Sequence, residues 1–371
     1  MRKFFIIAGE VSGDIHGALL MDAMRREDPT CVFSGIGGHQ MESNGLSSLF
    51  PLKKMSVMGF VEVLKHLRFF KDVEKKVLEK IASEKPERII LIDYPGFNLR
   101  LAEKVKRKFN IPITYYISPQ IWAWKEKRIN IIKQYVNQML VIFPFEKKWY
   151  AERGVDVEWV GHPYLEAWKS TSKSELKSQL GLDPEKPLLT LFPGSRKQEL
   201  DKHLRLCVDA AHRVQQEVED VQIVLGLAHN VDIGSIQIPE NIMVERTHPR
   251  RALEAADAAI VASGTSTLEA AIYGTPMVII YKMNPLSWWI SKRLVKTRFA
   301  GMPNLIADRF IVPELLQSDA TPKSVSKQII RLIIPGLARD NTLQNLNNVR
   351  DALGDGNASS KAATFILGNS A

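Results

Sequence analysis

Two doubly wound α/β domains, each built on a parallel sheet, are predicted for this chain from three observations. Short apolar runs rich in β-branched residues alternate with helical stretches along most of its length. The runs are apolar almost throughout rather than alternating, as strands buried on both faces of a parallel sheet must be. The rhythm pauses once, between about Tyr164 and Pro187. There Lys169-Ser170-Thr171-Ser172-Lys173-Ser174 and Gly181-Leu182-Asp183-Pro184 are polar and turn-forming. At about 150 residues per domain, 371 residues leave room for two domains with a core each.

In the first half the expected strands are Phe4–Ala8, Val32–Ile36, Arg88–Ile92, Ile113–Ile117 and Gln138–Phe143. In the second they are Leu188–Phe192, Val221–Leu225, Met243–Glu245, Ala258–Ala262 and Met277–Tyr281. Rossmann-like domains are therefore expected over 1–168 and 187–345. A helical tail over 346–371 is expected to pack back on the first domain or on a partner subunit. Two such domains facing each other form a cleft at the carboxyl ends of both sheets, where open α/β sheets bind ligands.

Composition narrows the function. Fifty Lys and Arg against 41 Asp and Glu leave a net charge of +9, which favours anionic partners. The two cysteines, Cys31 and Cys207, match no metal or redox spacing and fit a reduced, cytoplasmic protein. No apolar run approaches the roughly 18 residues of a spanning helix. Met1–Ala8 meets Glu10 and Asp14 where a signal peptide would continue, so it reads as a first strand.

Three strand-to-helix loops can carry chemistry. In Gly9-Glu10-Val11-Ser12-Gly13-Asp14 the glycines let a ligand approach the backbone, and Ser12 or Asp14 can cap the next helix. The acids there disfavour a diphosphate and suit a hydroxyl-rich ligand such as a sugar; the other reading is a capped turn. Pro193-Gly194-Ser195-Arg196 opens a helix whose free N–H groups favour an anion, with Arg196 to fork onto phosphate oxygens. Ser263-Gly264-Thr265-Ser266-Thr267 forms a second such cradle, and Glu269, one turn on, can accept from ribose hydroxyls; an ordinary helix cap is the alternative. Together they suggest a nucleoside diphosphate in the second domain. Asp93, at the end of a buried strand, either acts as a general base or caps the Tyr94-Pro95-Gly96 turn. Ser34-Gly35-Ile36-Gly37-Gly38-His39-Gln40 misses the dinucleotide fingerprint, a Walker A loop is absent, and the histidines show no metal-ligand spacing.

Two stretches suit an amphiphile. On a helix over Phe60–Phe70, residues Phe60, Val63, Leu64, Leu67 and Phe70 share a face, with Val61 at its margin and Phe69 opposite. In Trp288-Trp289-Ile290-Ser291-Lys292-Arg293 the tryptophans stand beside basic residues, as in the headgroup region of an anionic bilayer. Either stretch can also be a core helix with solvated basic edges.

On these segments the chain resembles the lipid-A-disaccharide synthase family, bacterial glycosyltransferases of the two-Rossmann-domain (GT-B) type. The likeness is carried by Ala8–Asp14, Met58-Gly59-Phe60-Val61-Glu62-Val63-Leu64, Ile92-Asp93-Tyr94-Pro95-Gly96-Phe97-Asn98 and Ser118-Pro119-Gln120-Ile121-Trp122-Ala123-Trp124. It continues through Phe143-Pro144-Phe145-Glu146, Gly161-His162-Pro163, Pro193-Gly194-Ser195-Arg196, Ala262-Ser263-Gly264-Thr265 and Pro303-Asn304-Leu305. Some relatives carry a further Asp where this chain has Gly96, which makes Asp93 the better base candidate.

The resemblance implies transfer of 2,3-diacylglucosamine from UDP to the 6-hydroxyl of 2,3-diacylglucosamine 1-phosphate. Inversion, no cofactor or metal, peripheral association with the anionic inner membrane and a homodimer come with it. In that frame Asp93 is the base, and Gly194, Ser195, Arg196, Ser263, Gly264, Thr265, Glu269 and Asn304 hold UDP. Glu10, Ser12, Gly13 and Asp14 hold the acceptor in the first domain, and the two apolar stretches meet acyl chains or the bilayer. A UDP-sugar epimerase or a transferase for a soluble acceptor is the alternative on the same scaffold. A nucleic-acid-binding module ranks last, since no binding motif accompanies the charge.

Overall fold

The computed structural model describes residues 1–52, 55, 67–229, 231–233, 236–285, 288, 289, 293 and 296–368. The chain forms two compact units, one of Met1–Ala167 with Leu353–Ala371, the other of Trp168–Ala352.

The first unit holds a seven-stranded sheet of β1 (Arg2–Ala8), β2 (Cys31–Gly37), β3 (Leu46–Pro51), β4 (Arg88–Ile92), β5 (Ile113–Tyr116), β6 (Gln138–Val141) and β7 (Glu158–Trp159). All its pairings are parallel, in the order β3-β2-β1-β4-β5-β6-β7. The second unit repeats the plan with β8 (Leu188–Phe192), β9 (Gln222–Gly226), β10 (Ile242–Glu245), β11 (Ala258–Ala262), β12 (Met277–Tyr281) and β13 (Glu314–Leu316). Its order, β10-β9-β8-β11-β12-β13, is again all parallel. Both sheets are doubly wound, as expected.

The central strands are apolar because helices cover both their faces: Phe4 to Ala8 and all of β11 are buried. The tail differs in its boundary. A division at 345 falls inside the helix Leu337–Ala352, which belongs to the second unit. The chain returns to the first unit at Leu353, whose carbonyl accepts from the His162 N–H at 2.7 Å. The helix Ala358–Leu367 then packs on the first helix, Val11–Glu27, and Ser359 donates its N–H and hydroxyl to Glu166 at 2.6 Å each.

Candidate active site

In each unit the chain runs outward from the first strand, then crosses back to pair on that strand's other side. Loops leaving the two strands at this reversal stand side by side and open a crevice. Ala8 is registered with Ile92, so Gly9-Glu10 and Asp93-Tyr94 leave the first sheet together. Val261 is registered with Phe192, so Pro193–Arg196 and Ser263–Thr265 leave the second sheet together. The loops singled out in the sequence thus lie at the two switch points.

Asp93 and Tyr94 are held in left-handed backbone, at φ 42° and 47°, which costs a non-glycine residue about 1–3 kcal/mol unless its surroundings impose it. Here they do. The Asp93 carbonyl accepts from the Tyr115 hydroxyl and, at 2.8 Å, from the Asn98 amide, and the Asp93 N–H donates to Tyr116. Gly9 is required by the same turn, because a Cβ there would lie 2.3 Å from the Tyr94 ring. Burial pushes the Asp93 carboxyl up to about 7, with help from the negative charge of Glu10 and against the Tyr94 N–H. A carboxyl poised there suits proton abstraction near neutral pH.

Around Asp93 the expected acceptor residues divide. Glu10, at the cap, and Ser12, in the first turn of the helix Val11–Glu27, are exposed. Gly13 and Asp14, by contrast, are buried. Gly13 is buried where a Cβ would press Ala8 at 3.3 Å, so it serves helix-to-sheet contact. Asp14 does not cap its own helix. Its carboxylate accepts the N–H groups of Gly38, Gln40 and Met41 at 2.8–3.1 Å and caps the helix His39–Ser43 that follows β2. A cavity of about 560 Å³ opens beside it, walled by Val11, Ile15, Pro51 and Leu52 with His39 and Gln40.

Sequence reasoning assigned no role to Glu146. It is buried and accepts from Ser118, from the Trp122 indole at 3.0 Å, and from the Ile142 and Phe143 N–H groups, fastening the loops after β5 and β6. Burial pushes its carboxyl up to about 7 despite those four donors. His162 is buried against Phe143 with its Nδ1 accepting from the Tyr164 N–H at 3.2 Å.

In the second unit Ser195 and Arg196 are exposed at the start of the helix Lys197–Gln215. Their two N–H groups donate to Glu199 Oε2 at 3.0 and 3.3 Å. Beneath the turn, His203 is buried and neutral: Nδ1 bonds the Pro193 carbonyl and Nε2 the Lys282 N–H, each at 2.8 Å, and burial holds its pKa below the usual histidine range. Nothing in the sequence pattern distinguishes it from a helix-face histidine. His203→Ala leaves a buried carbonyl and N–H without partners, so a loss of about 2–4 kcal/mol is expected in urea unfolding.

At the other loop Gly264 sits at φ 155° and Thr265 is exposed at the head of the helix Thr265–Tyr273. The Ser263 hydroxyl is turned inward, donating to the Ala300 carbonyl at 2.6 Å. Glu269 is buried and ion-paired with Arg250 at 2.9 Å; burial raises its pKa and Arg250 opposes. Asn304, expected at UDP, is instead buried with its amide saturated by Val312, Glu314 and Ile311, and it braces the turn after the helix Met302–Ala307.

Of the apolar stretches, Phe60, Val61, Val63 and Leu64 lie outside the described residues, as does the side chain of Leu67. Phe70 is buried in the first unit's core with its ring tilted 6.3 Å from Phe97, and Phe69 is half-buried against that core, edge-on to Phe50. Trp288 is half-buried, while Trp289 is 53% exposed with Arg293 over its ring at 3.5 Å.

Solved structures share this architecture. CalG4, the calicheamicin glycosyltransferase, superposes with a TM-score of 0.62 at 12% identity, over 99% of this chain and 98% of that one. The UDP-GlcNAc 2-epimerase from Neisseria meningitidis bound to UDP-GlcNAc gives 0.67 at 11% identity over the whole of both chains. The fold is that of the GT-B glycosyltransferases and their relatives. Residues 4–365 match the family model for lipid-A-disaccharide synthetase. Lipid-A-disaccharide synthases from Myxococcus xanthus (strain DK1622) and Coxiella burnetii (strain CbuG_Q212) are 39% and 38% identical, each over 98% of this chain and 97% and 98% of their own. The chain belongs to the lipid-A-disaccharide synthase family of glycosyltransferases.

Proposed function

We propose that this enzyme transfers 2,3-diacylglucosamine from UDP to the 6-hydroxyl of 2,3-diacylglucosamine 1-phosphate with inversion. The products are a β(1→6) disaccharide 1-phosphate and UDP. Asp93 takes the hydroxyl proton as that oxygen bonds to the anomeric carbon, and the bond from that carbon to the diphosphate breaks with its electron pair leaving on UDP. The observation that carries the reading is Asp93 itself, set in an imposed left-handed turn at the first switch point, where burial and Glu10 push its carboxyl up to about 7. Glu10 and Ser12 stand where they can orient the acceptor sugar. In this reading Arg196 and the N–H groups heading Thr265–Tyr273 neutralise charge on departing UDP. Work at an anionic membrane surface on the cytoplasmic side is consistent with exposed Trp289 beside Arg293. No helix among the described residues is long and apolar enough to cross a membrane.

The test is mass spectrometry after incubation with both lipids in detergent, beside an acceptor-free control. A tetra-acyl disaccharide phosphate formed only with acceptor is expected. Both substrates recovered intact from folded protein would transfer the site to an epimerase or a soluble acceptor. For Arg196→Ala, UDP affinity is expected to fall roughly ten- to hundredfold, the worth of a charge-assisted phosphate contact. Unchanged calorimetric affinity would remove Arg196 from the site.

A further inference from the structure

The stretch joining β12 to β13 carries two exposed aromatic rings, each with a cation over it. The first is Trp289 under Arg293. The second is Phe310, 59% exposed and edge-on to buried Phe299 at 5.0 Å. Arg298 is exposed, with its guanidinium 5.4 Å from the centre of the Phe299 ring and 5.9 Å from that of Phe310. The charge of the stretch is positive: between Glu269 and Asp308 the sequence has five Lys or Arg and no acid. Arg309, next to Phe310, donates to the neutral Asn345 side chain at 2.7 Å. Of the two acids that follow, Asp308 is exposed, while Glu314 turns to the Ala300 and Gly301 N–H groups at 2.9 Å each. The same segment is fastened to the second switch point. The Ser263 hydroxyl donates to the Ala300 carbonyl at 2.6 Å, and the Met302 N–H donates to the Thr267 hydroxyl at 3.2 Å.

We infer that Phe310 and Arg298 form a docking point for an anionic bilayer. The Phe310 ring enters the interface, where an aromatic side chain loses its contact with water, and Arg298 and Arg309 meet the lipid phosphates. A lone exposed ring needs no partner, but a ring seated on a core residue and flanked by arginines has the composition of an interfacial anchor. The docked face holds the Ser263–Thr265 loop close to the bilayer, so a UDP-linked lipid reaches that loop with its acyl chains still in the membrane. This deepens the membrane reading given for Trp289 and Arg293, and rests on it.

The test is co-sedimentation of the full chain with vesicles of phosphatidylcholine, alone or mixed with phosphatidylglycerol, at low and high salt. The variants are F310S and R298E, and either one that melts with the wild type suffices. The wild type is expected on the mixed vesicles and to leave them as salt rises. F310S is expected to weaken partitioning roughly tenfold, the worth of a phenyl ring taken from water. R298E, which reverses a charge at the surface, is expected to weaken it roughly five- to twentyfold. Wild-type partitioning by a folded variant would overturn the inference alone. If light scattering then showed F310S separating a dimer, the face would belong to a second copy of this chain. Equal binding of the wild type to phosphatidylcholine alone would likewise overturn the charge argument and the inference. A wild type that binds neither vesicle would overturn the membrane reading of Trp289 and the inference with it.

Discussion

Asp93→Asn is expected to fold normally and to lose roughly two to four orders of magnitude in turnover, the contribution of a positioned general base. Product formation by mass spectrometry checks it, and a variant with full turnover sinks the assignment. The wild-type rate carries a second signature. A base must be deprotonated, so kcat/KM is expected to rise with pH and level off above about 7, where burial and Glu10 have pushed this carboxyl. Glu10→Gln removes a negative charge that favours the protonated form, so the acidic limb is expected to move to lower pH. Stability moves the other way. A carboxyl whose folded pKa lies above its unfolded value of 3.8 contributes stability below that value, and the contribution is lost as pH rises through the folded pKa. Asp93→Asn has no charge to bury and is therefore expected to melt higher than the wild type above pH 7. A site that sacrifices stability for a poised base has this opposite pair of effects.

The central strands were legible because nothing but an apolar, β-branched run fits a strand covered on both faces. Arg88–Ile92, Leu188–Phe192, Ala258–Ala262 and Met277–Tyr281 fall on the expected residues. Three strands went unread, and all three are sheet edges: Leu46–Pro51, Glu158–Trp159 and Glu314–Leu316. An edge strand needs less apolar cover, and Leu46-Ser47-Ser48-Leu49-Phe50-Pro51 is mostly half-exposed or exposed. The same logic separates the site residues. Loops following central strands at a switch point are local in sequence, so the loop positions of Glu10, Asp93, Arg196 and Thr265 were legible from the sequence alone. Partners supplied from other elements were not. Asp14 looks like a loop acid but reaches Gly38 in the next loop. Asn304 looks like a ligand contact but is consumed by residues 311–314. His203 and Glu199 lie on a helix whose spacing says only that it is amphipathic.

The largest stability effect is expected from Asp257→Ala, at the opposite end of β11 from the Ser263–Thr265 loop. The carboxylate ends the segment before β11 and accepts from Lys177 Nζ at 2.8 Å, the Leu188 N–H at 3.0 Å and Arg339 at 3.2 Å. Three elements converge on it: the helix Lys173–Gln179, the first strand of the second sheet and the helix Leu337–Ala352. The Lys177 side chain is 6% exposed, and its other acceptors are the Lys186 and Pro184 carbonyls, neither of which carries a formal charge. Removing one member of a buried group leaves the others charged and desolvated, at a cost of about 3–5 kcal/mol. Urea unfolding checks this, and a loss under 1 kcal/mol would mean that solvent reaches the cluster. Burial alone raises the Asp257 pKa, but Lys177 and the Leu188 N–H outweigh it and hold the carboxyl below its ordinary 3.8. Its contribution is therefore present above that value and is lost as pH falls through the lower folded pKa. The wild-type second unit is accordingly expected to lose this share of its stability only in strong acid, while the Ala variant is destabilised already at pH 7.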